Sequence, residues 1–310
     1  MAPPRLDLER LAARLGTGWR TRFAPSPTGH LHLGHVVNAI YTWGVARRLG
    51  GEVVLRLEDH DTSRCRPEFE QSILEDLEWL GLHADIGPDG LRRRPSPYRQ
   101  SDNARVYAAA LEALAAAHPV FACDCTRRDI ARATAAAANE EPPYPGRCTA
   151  RRLPFTDGHA IRLVLPSGEE SFDDAACGWQ RQTPAAQVGA LMLRDRLGQW
   201  TYQFTVAVDD VRHGIGLVVR GVDLLASTGR QMQVMRMLGR EAAPVYLHHP
   251  LVHRPDGLKL SKANQDAGVR DLRTAGLTRE QVFGLAALAA GLIAAPRPVS
   301  LDELPGLVAA

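Results

Sequence analysis

The sequence predicts an α/β fold with a parallel sheet, a small cysteine-containing insertion and a short helical C-terminus. Near the N-terminus, an extended segment, a loop, a helical pattern and an apolar run follow one another within about 40 residues. That order is a βαβ unit, whose strands lie parallel. A similar mixture returns near residue 195, after a segment rich in cysteine and proline. Apolar residues make up 45% of the 310 residues and charged residues 23%, which excludes a wholly disordered chain.

The elements of the first half follow in order. Residues 19–24 are extended in character, and a helical pattern runs from Gly34 to Gly50. Residues 53–57 are an apolar run of buried-strand length, and the next helix begins at Pro67, which suits a first helical turn. We expect one more helix, which Ser101 and Asp102 can cap and which runs through Leu114.

The middle of the chain has a different texture. Around Val120 the sequence is typical of an insertion rather than of sheet, with short strands expected only at residues 160–165 and 170–172. The α/β pattern then returns, and we expect its elements at residues 200–208, 216–220, 228–238 and 245–247. The 48 residues after Lys262 are predicted to be helical.

Composition limits the class of protein. No apolar run reaches the roughly 18 residues that a membrane span needs, and the first twenty residues lack the apolar block of a secretory signal. The net charge is only +2, so a nucleic-acid contact requires a local basic face. Five cysteines, an odd number, favour free thiols in a reducing compartment. We therefore expect a cytoplasmic monomer with no membrane contact.

Lysine is almost absent from the chain. Of 37 basic residues, only Lys259 and Lys262 are lysines, and both fall in one short glycine-flanked segment. Chance survival in an arginine-biased chain is one interpretation. We favour the other, that this segment needs ammonium point charges that a planar guanidinium does not replace.

A segment rich in glycine and histidine lies between the first strand and the first long helix: Pro25-Ser-Pro-Thr-Gly29-His-Leu-His32-Leu-Gly34-His35. A helix N-terminus offers N–H groups and a positive dipole end to an anion, and glycines allow a phosphate to approach closely. His32 and His35 are candidate donors to phosphate oxygens. Gly29 and Gly34 have the spacing of a P-loop, but His35-Val36 stands where that motif requires Lys-Ser/Thr. The structural alternative is a turn with satisfied histidines.

Taken with later motifs, this segment resembles the class I aminoacyl-tRNA synthetases. Two motifs are similar to the HIGH and KMSKS signatures of that class: His32-Leu-Gly34-His35 and Lys259-Leu-Ser-Lys262-Ala263. Three more resemble the glutamyl-tRNA synthetase core: Arg22-Phe-Ala-Pro-Ser26, Leu57-Glu58-Asp59-His-Asp61 and Val219-Arg220-Gly221. The cysteine pattern and the short C-terminus are most similar to truncated paralogues that attach glutamate to queuosine in the anticodon of tRNA(Asp). The resemblance covers residues 21–264 and implies a Rossmann-like catalytic sheet.

The resemblance implies that ATP activates L-glutamate before transfer to a tRNA. It assigns ATP binding to His32, Gly34, His35, Lys259 and Lys262, and the catalytic role to His32, His35 and Lys262. These groups would stabilise charge on the transferring phosphate and the leaving pyrophosphate. Mg²⁺ would accompany the ATP.

Glutamate recognition needs cations for two carboxylates and an anion for the ammonium. Arg22 and Arg220 are the candidates for the carboxylates, and Glu58 is the candidate for the ammonium. Ser26 and Tyr202 match positions that contact glutamate in the family. One residue departs from the tRNA(Glu)-charging enzymes, which usually carry asparagine where Val206 stands. The truncated paralogues share that replacement, which is expected to weaken glutamate binding.

Three cysteines and a tyrosine are the candidate zinc ligands: Cys123, Cys125, Tyr144 and Cys148. Zinc prefers thiolates in closed tetrahedral structural sites, and a close cysteine pair followed by a distant ligand pair suits such a site. Tyr144 is included only because the family pattern places a ligand there, and His159 is the chemical alternative. Three cysteines without a metal remain the other interpretation.

Other conspicuous residues receive ordinary interpretations. Cys65 and Cys177 lack spaced partners and are expected to be buried thiols. Asp209 and Asp210, taken as neighbours on a strand, would point to opposite faces and so be structural rather than a metal pair. The arginine run at residues 92–94 is expected to be a solvated face or a contact for RNA phosphates.

These observations divide the chain into five segments. An N-terminal extension covers residues 1–20, and the two halves of the catalytic domain cover residues 21–118 and 195–263. The insertion covers residues 119–194, and a helical segment covers residues 264–310. The last segment is too short for a domain that reads a distant anticodon, which favours an acceptor at the anticodon itself.

Three other functions remain open at this stage. The chain could be a truncated enzyme that charges tRNA(Glu) or tRNA(Gln), a small-molecule nucleotidyltransferase, or an inactive RNA-binding module. His32, His35 and Lys262 argue against the last, because an inactive module has no chemical need of them. A nucleotidyltransferase would not explain Glu58, Arg220 and the cysteine insertion together.

Overall fold

The structure, a computed structural model, describes residues 6–134, 142–252 and 268–309. The lysine-containing segment with Lys259 and Lys262 lies outside the described residues. Across the described ranges, every helix is too short or too polar to cross a lipid bilayer.

The first part of the chain alternates helices and strands. After α1 (Leu8–Leu15), the elements are β1 (Arg20–Phe23), α2 (Leu33–Leu49), β2 (Glu52–Leu55), α3 (Pro67–Leu80), α4 (Pro88–Leu91) and α5 (Ala104–Ala117). Strands β1 and β2 pair in parallel, with Arg22 opposite Val54, so the predicted βαβ unit is confirmed. Helix α2 is terminated by its C-cap residue Gly50, whose left-handed φ of 71° suits a residue without a Cβ.

The start of α5 differs from the prediction. A 3₁₀ turn precedes the helix, which begins at Ala104 without a side-chain cap. Ser101 instead donates to Asp59 at 2.6 Å, and Asp102 accepts from the backbone of Ser96 at 3.0 Å. Contacts outside the helix therefore occupy the two side chains that were expected to cap it.

The middle of the chain contains more sheet than the sequence predicted. Its elements are β3 (Val120–Cys123), α6 (Arg127–Thr134), β4 (Ala160–Val164), β5 (Glu170–Asp174), β6 (Gly178–Gln182), α7 (Pro184–Val188) and β7 (Ala190–Arg194). Strands β3, β4 and β7 form an antiparallel sheet, so the expectation of no sheet around Val120 was wrong. Phe121 and Cys123 in β3 are buried, and the strand pairing arises from residues far apart in sequence.

The last part of the chain completes a second sheet. Its elements are α8 (Tyr202–Arg212), β8 (Leu217–Gly221), α9 (Thr228–Met237), β9 (Val245–His249), α10 (Val269–Thr274), α11 (Arg279–Ala289) and α12 (Leu304–Leu307). The strand order is β6-β5-β9-β8, with β8 and β9 parallel. Strand β5, from the predicted insertion, pairs with β9 at Asp174 and Tyr246.

The two parallel pairs lie side by side. Arg20 forms a parallel bridge with Ile215, and the N–H of Gly216 donates to the carbonyl of Arg20 at 2.8 Å, which brings β1 against the start of β8. Helix α2 covers this junction and is buried along most of its length. Because parallel strands end at the same edge, the carboxyl ends of β1, β2 and β8 meet, and ligands bind at such an edge.

Candidate active site

A cavity of about 670 Å³ opens where β1, β2 and β8 end. Every candidate for glutamate or ATP binding within the described residues lines it, namely Arg22, Ser26, His32, Gly34, His35, Glu58, Tyr202 and Arg220. Residues from four separate motifs thus form one site, which is large enough for an amino acid beside a nucleotide phosphate.

His32 and His35 form the N-terminal cap of α2. The Nδ1 of His32 accepts from the N–H of Gly34 at 3.1 Å, and the Nδ1 of His35 accepts from the N–H of His32 at 3.1 Å. A neutral imidazole that accepts at Nδ1 carries its proton at Nε2. Both histidines are therefore fixed as Nε2–H donors at a helix N-terminus, which suits a phosphate oxygen.

Gly34 is required by this arrangement. A Cβ at Gly34 would lie 2.9 Å from Cε1 of the His32 ring, closer than a side chain tolerates. Any larger residue would displace the ring and its capping hydrogen bond. The histidine geometry thus depends on the glycine between the two rings.

A buried chain of alternating charges underlies the carboxylate candidates. Asp210 contacts Nε of Arg22 at 3.3 Å and Nη1 of Arg56 at 2.8 Å, and Arg56 also donates to Glu58 at 2.9 Å. Although burial opposes ionisation, the arginines hold the pKa of Asp210 below its usual range. Asp209 lies 3.9 Å from Arg56, and burial raises the pKa of its carboxyl. The candidate partner of the substrate ammonium is therefore held by an arginine.

The same chain corrects one prediction. Asp209 and Asp210 lie on helix α8, not on a strand, and both are buried. The structural interpretation is confirmed, because Asp210 joins Arg22 to Arg56 and Asp209 accepts from Tyr107 at 3.0 Å. On a helix, adjacent residues differ by about 100° in direction and can reach one network.

Arg22 and Arg220 are both 4% exposed, and both are held by hydrogen bonds. Arg22 donates from Nη1 to the carbonyl of Val219 at 3.0 Å and from Nε to Asp210. Arg220 donates to His248, Gln231 and Thr228 at 2.9, 2.6 and 2.8 Å. A guanidinium has five N–H groups. Within the described residues, these contacts leave donors on each arginine for a substrate carboxylate.

Tyr202 and Ser26 lie near these charges. Tyr202 begins helix α8, and burial raises the pKa of its hydroxyl, so it serves as a neutral hydrogen-bonding group. Ser26 lies 4.0 Å from Sγ of Cys65. Val206 follows Tyr202 by one helical turn and is fully buried.

The three cysteines of the predicted metal site lie together. The sulfur atoms of Cys123, Cys125 and Cys148 all lie within 4.8 Å of one another and are buried, so this cluster could hold a metal ion. The hydroxyl of Tyr144 lies 3.5 Å from Sγ of Cys123 and accepts from the N–H of Cys148 at 2.8 Å. His159 does not belong to the cluster, since its Nδ1 lies 3.0 Å from the carbonyl of Pro154.

The spacing of these atoms fits a tetrahedral zinc site. Ligands at the usual Zn–S distance are about 3.8 Å apart along each edge of a tetrahedron. The sulfurs of Cys125 and Cys148 are 3.6 Å apart, and the Tyr144 hydroxyl completes a fourth corner at 3.5 and 4.0 Å from two thiols. The guanidinium of Arg162 stacks over the Tyr144 ring, 4.2 Å from its centroid, and so holds the ring in place beside the thiols.

The remaining thiols are less buried than predicted. Cys65 and Cys177 are half-buried, and burial raises the pKa of Cys177 to about 11. Neither belongs to the cysteine cluster among the described residues. The expectation that both are buried was wrong, and their interpretation as ordinary thiols stays a prediction.

Sequence reasoning missed two groups of supporting residues. Arg56 lies within the apolar run at residues 53–57 and is fully buried, and a charge in such a run was the available signal. His248 in strand β9, also buried, accepts from Arg220 in strand β8. Its role depends on contacts between strands, for which the sequence offers no local signal.

The fold and the site define a class of protein. A family model described as tRNA synthetases class I (E and Q), catalytic domain, matches residues 19–290. The chain therefore belongs to this family and is an enzyme of the aminoacyl-tRNA synthetase type, a ligase. The solved glutamate-tRNA synthetase of Elizabethkingia anophelis is 27% identical with a TM-score of 0.75, covering 93% of this chain and 65% of its own.

Curated relatives narrow the comparison. The glutamyl-Q tRNA(Asp) synthetase of Nitratidesulfovibrio vulgaris is 39% identical over 299 residues, covering 93% of this chain and 91% of the relative. The protein of the same name from Symbiobacterium thermophilum is 40% identical over 293 residues, covering 91% and 90%. The chain is thus similar over most of its length to relatives of this name.

Proposed function

We propose that the chain activates L-glutamate with ATP and transfers it to queuosine at the wobble position of tRNA(Asp). The observation that carries the first half is the cavity, where two buried arginines and a buried glutamate lie beside the N-terminus of α2. Such a set is complementary to an amino acid with two carboxylates and one ammonium. The names of the curated relatives support the second half.

The first step forms the adenylate. An oxygen of the substrate α-carboxylate attacks the α-phosphorus of ATP, and the bond to the leaving pyrophosphate breaks. His32 and His35 donate from Nε2 to phosphate oxygens, while Arg22, Arg220 and Glu58 hold the amino acid. Mg²⁺ enters with the ATP as part of the substrate. From the sequence, we assign to Lys259 and Lys262 the role of stabilising the negative charge that develops on the phosphates.

In the second step, a hydroxyl of the cyclopentenediol of queuosine attacks the glutamyl carbonyl. An ester forms, and AMP leaves. Both steps take place where tRNA and ATP are found, so we propose that the enzyme works in the cytoplasm. We also propose that it acts as a monomer.

We also propose one structural zinc ion, held by Cys123, Cys125, Cys148 and Tyr144. The spacing of the three sulfurs and the phenol oxygen supports this ligand set. Metal analysis should find one zinc per chain, lost in Cys148→Ser, with a lower melting temperature because structural zinc contributes folding free energy. A metal-free wild type of equal stability would contradict the site. Zinc retained in Tyr144→Phe would contradict the tyrosine ligand.

Pyrophosphate exchange tests the activation step. We expect exchange with L-glutamate but not with L-glutamine or L-aspartate, and we expect Glu58→Gln to abolish it. Glu52→Gln, at the exposed start of β2 and six residues before Glu58, is the matched control. Exchange independent of the amino acid would instead favour a small-molecule nucleotidyltransferase.

Transfer of labelled glutamate tests the acceptor. The substrates are tRNA(Asp) with and without queuosine, each ending in a 2′,3′-dideoxyadenosine that removes the 3′ acceptor hydroxyls. We expect label only on the queuosine-containing tRNA and, after nuclease digestion, only on its anticodon loop. Charging of unmodified tRNA(Glu) at an intact 3′ end, without label on queuosine, would show that the chain is a tRNA(Glu)-charging enzyme.

A further inference from the structure

A buried carboxylate–histidine pair lies behind the arginine at the end of β8. Oδ2 of Asp174 is 2.5 Å from Nδ1 of His248, and Nε2 of His248 accepts from Nε of Arg220 at 2.9 Å. The three residues are 2%, 1% and 4% exposed. Asp174 and His248 do not line the cavity, and Arg220, which does, connects them to it.

The hydrogen-bond chemistry fixes the state of the histidine. Arginine only donates, so Nε2 of His248 must be the acceptor and the ring proton must sit on Nδ1. That proton is donated to Asp174. Burial lowers the pKa of His248, so the ring is neutral at working pH, as acceptance at Nε2 requires.

The carboxylate that selects this tautomer is itself held firmly. Oδ1 of Asp174 accepts from the N–H groups of Ala176, Cys177 and His248 at 3.0, 2.8 and 3.2 Å. Although burial opposes ionisation, these bonds and His248 hold the pKa of Asp174 below its usual range. The carboxylate therefore stays charged and cannot rotate away from the ring.

We propose that Asp174 and His248 are positioning residues that lock the guanidinium of Arg220 for the carboxylate of glutamate. This inference rests on the proposed function of the site. The Nε of Arg220 is bound to His248, and its two terminal nitrogens are bound to Gln231 and Thr228. Three bonds fix the guanidinium plane, and one N–H on each terminal nitrogen remains for a substrate. Because Asp174 lies on β5, the stretch between the two catalytic halves contributes to amino-acid recognition.

Asp174→Asn tests the tautomer directly. If the amide oxygen keeps the three backbone bonds, the NH₂ group meets Nδ1 and forces the ring proton onto Nε2, against the N–H of Arg220. Ring ¹⁵N NMR of His248 in the free protein should show Nδ1–H in the wild type and Nε2–H in the variant. A wild-type ring protonated at Nε2 would overturn the inference.

Exchange kinetics test the consequence for recognition. Asp174→Asn and His248→Phe should each raise the KM for glutamate at least about tenfold while changing the KM for ATP little, because Arg220 loses its alignment. His248→Gln, whose amide oxygen can accept from Arg220, should recover part of the loss. The control is His213→Phe, another buried histidine, which lies outside the cavity lining and whose pKa burial lowers to about 3.

The possible results separate two kinds of failure. An equal loss in kcat and in both KM values, matched by the control, would reduce the pair to a packing role and overturn the inference. An unchanged KM for glutamate in His248→Phe would do the same. A wild type without glutamate-dependent exchange would overturn the proposed function and this inference together. None of the other results would overturn the proposed function.

Discussion

Asp210 is the residue on which the buried charges of the site depend. It is the shared counter-ion of Arg22 and Arg56, and all three side chains are at most 5% exposed. Asp210→Asn keeps the shape but removes the carboxylate that Arg22 and Arg56 share, so that Arg56 keeps Glu58 and Asp209 while Arg22 loses its ion pair. Removing one partner of a buried ion pair typically costs about 3–5 kcal/mol. We expect a loss of that size in the free energy of unfolding, measured by urea denaturation.

The matched control for this prediction is Asp173→Asn. Asp173 also contacts two arginines, Arg10 and Arg14, at 2.7 and 3.0 Å, but near the surface. Solvent-exposed pairs contribute at most about 1 kcal/mol, so this variant should be nearly as stable as the wild type. Equal losses in the two variants would show that burial does not determine the contribution of Asp210.

Asp76 on α3 should give stability a pH dependence. Burial raises the pKa of its carboxyl to about 6, and its Oδ2 has no hydrogen-bond partner among the described residues. An unfolded aspartate titrates near pH 4, so the folded state binds the proton more tightly and the free energy of unfolding falls as the pH rises from about 4 to about 6. Asp76→Asn removes this loss and should be about 2 kcal/mol more stable than the wild type at pH 7, with little difference below pH 4.

Urea denaturation at pH 3.8, 5 and 7 would measure this difference. Glu75→Gln, an exposed carboxylate next to Asp76 on the same helix, is the control and should follow the wild-type curve. Parallel curves for the wild type and Asp76→Asn would mean that the Asp76 carboxyl keeps an ordinary pKa in the folded protein.

At the scale of helices and strands, the sequence predicted the elements whose ends are marked by a nearby residue such as glycine or proline. Helix α2 is terminated by Gly50 and α3 begins at Pro67, as the glycine and proline indicated. Helix α8 was harder, because Thr205, Val206 and Val208 have β-branched side chains that suit a strand. Its core contacts, through Phe204, Ala207, Val208 and Val211, follow helical spacing.

The site followed the same division. The residues in recognisable motifs meet in one cavity, as expected. Arg56, Asp174 and His248 were not predicted, because each acts through a partner on another strand or helix. Register between β5, β9 and β8 decides these contacts, and no local pattern encodes that register.

The turn between α7 and β7 should support the tyrosine of the metal cluster. Gly189 has a φ of +67°, and a Cβ there would lie 2.1 Å from the carbonyl oxygen of Tyr144. Gly178 has a nearly equal φ of +68°, but no atom of the described residues lies within 4 Å of its Cβ position. An alanine at either position would therefore have the same backbone strain. Only an alanine at Gly189 would also collide with Tyr144.

We expect Gly189→Ala to lower the melting temperature strongly and to reduce zinc content, because Tyr144 must move. Gly178→Ala should cost only about 1 kcal/mol from the left-handed backbone and should keep its metal. Differential scanning calorimetry and metal analysis of the purified variants measure both effects. Similar losses in the two variants would mean that backbone strain alone, not contact with Tyr144, explains the glycine.

At the scale of the whole molecule, the scarcity of lysine gives the last prediction. The only side-chain amines are those of Lys259 and Lys262, so an amine-selective reagent can modify the chain only there and at the N-terminus. If both lysines stabilise the phosphates of ATP, acylation with an N-hydroxysuccinimide ester should abolish pyrophosphate exchange, and ATP with glutamate should slow the loss. Lys262→Ala should be inactive yet folded, and Lys262→Arg should also be impaired, because a planar guanidinium does not replace a point charge. Peptide mass spectrometry would identify the modified amine. Full exchange activity after acylation of both lysines would exclude them from the chemistry. The 35 arginines do not react with the reagent, so the arginines of the site stay intact and serve as an internal control.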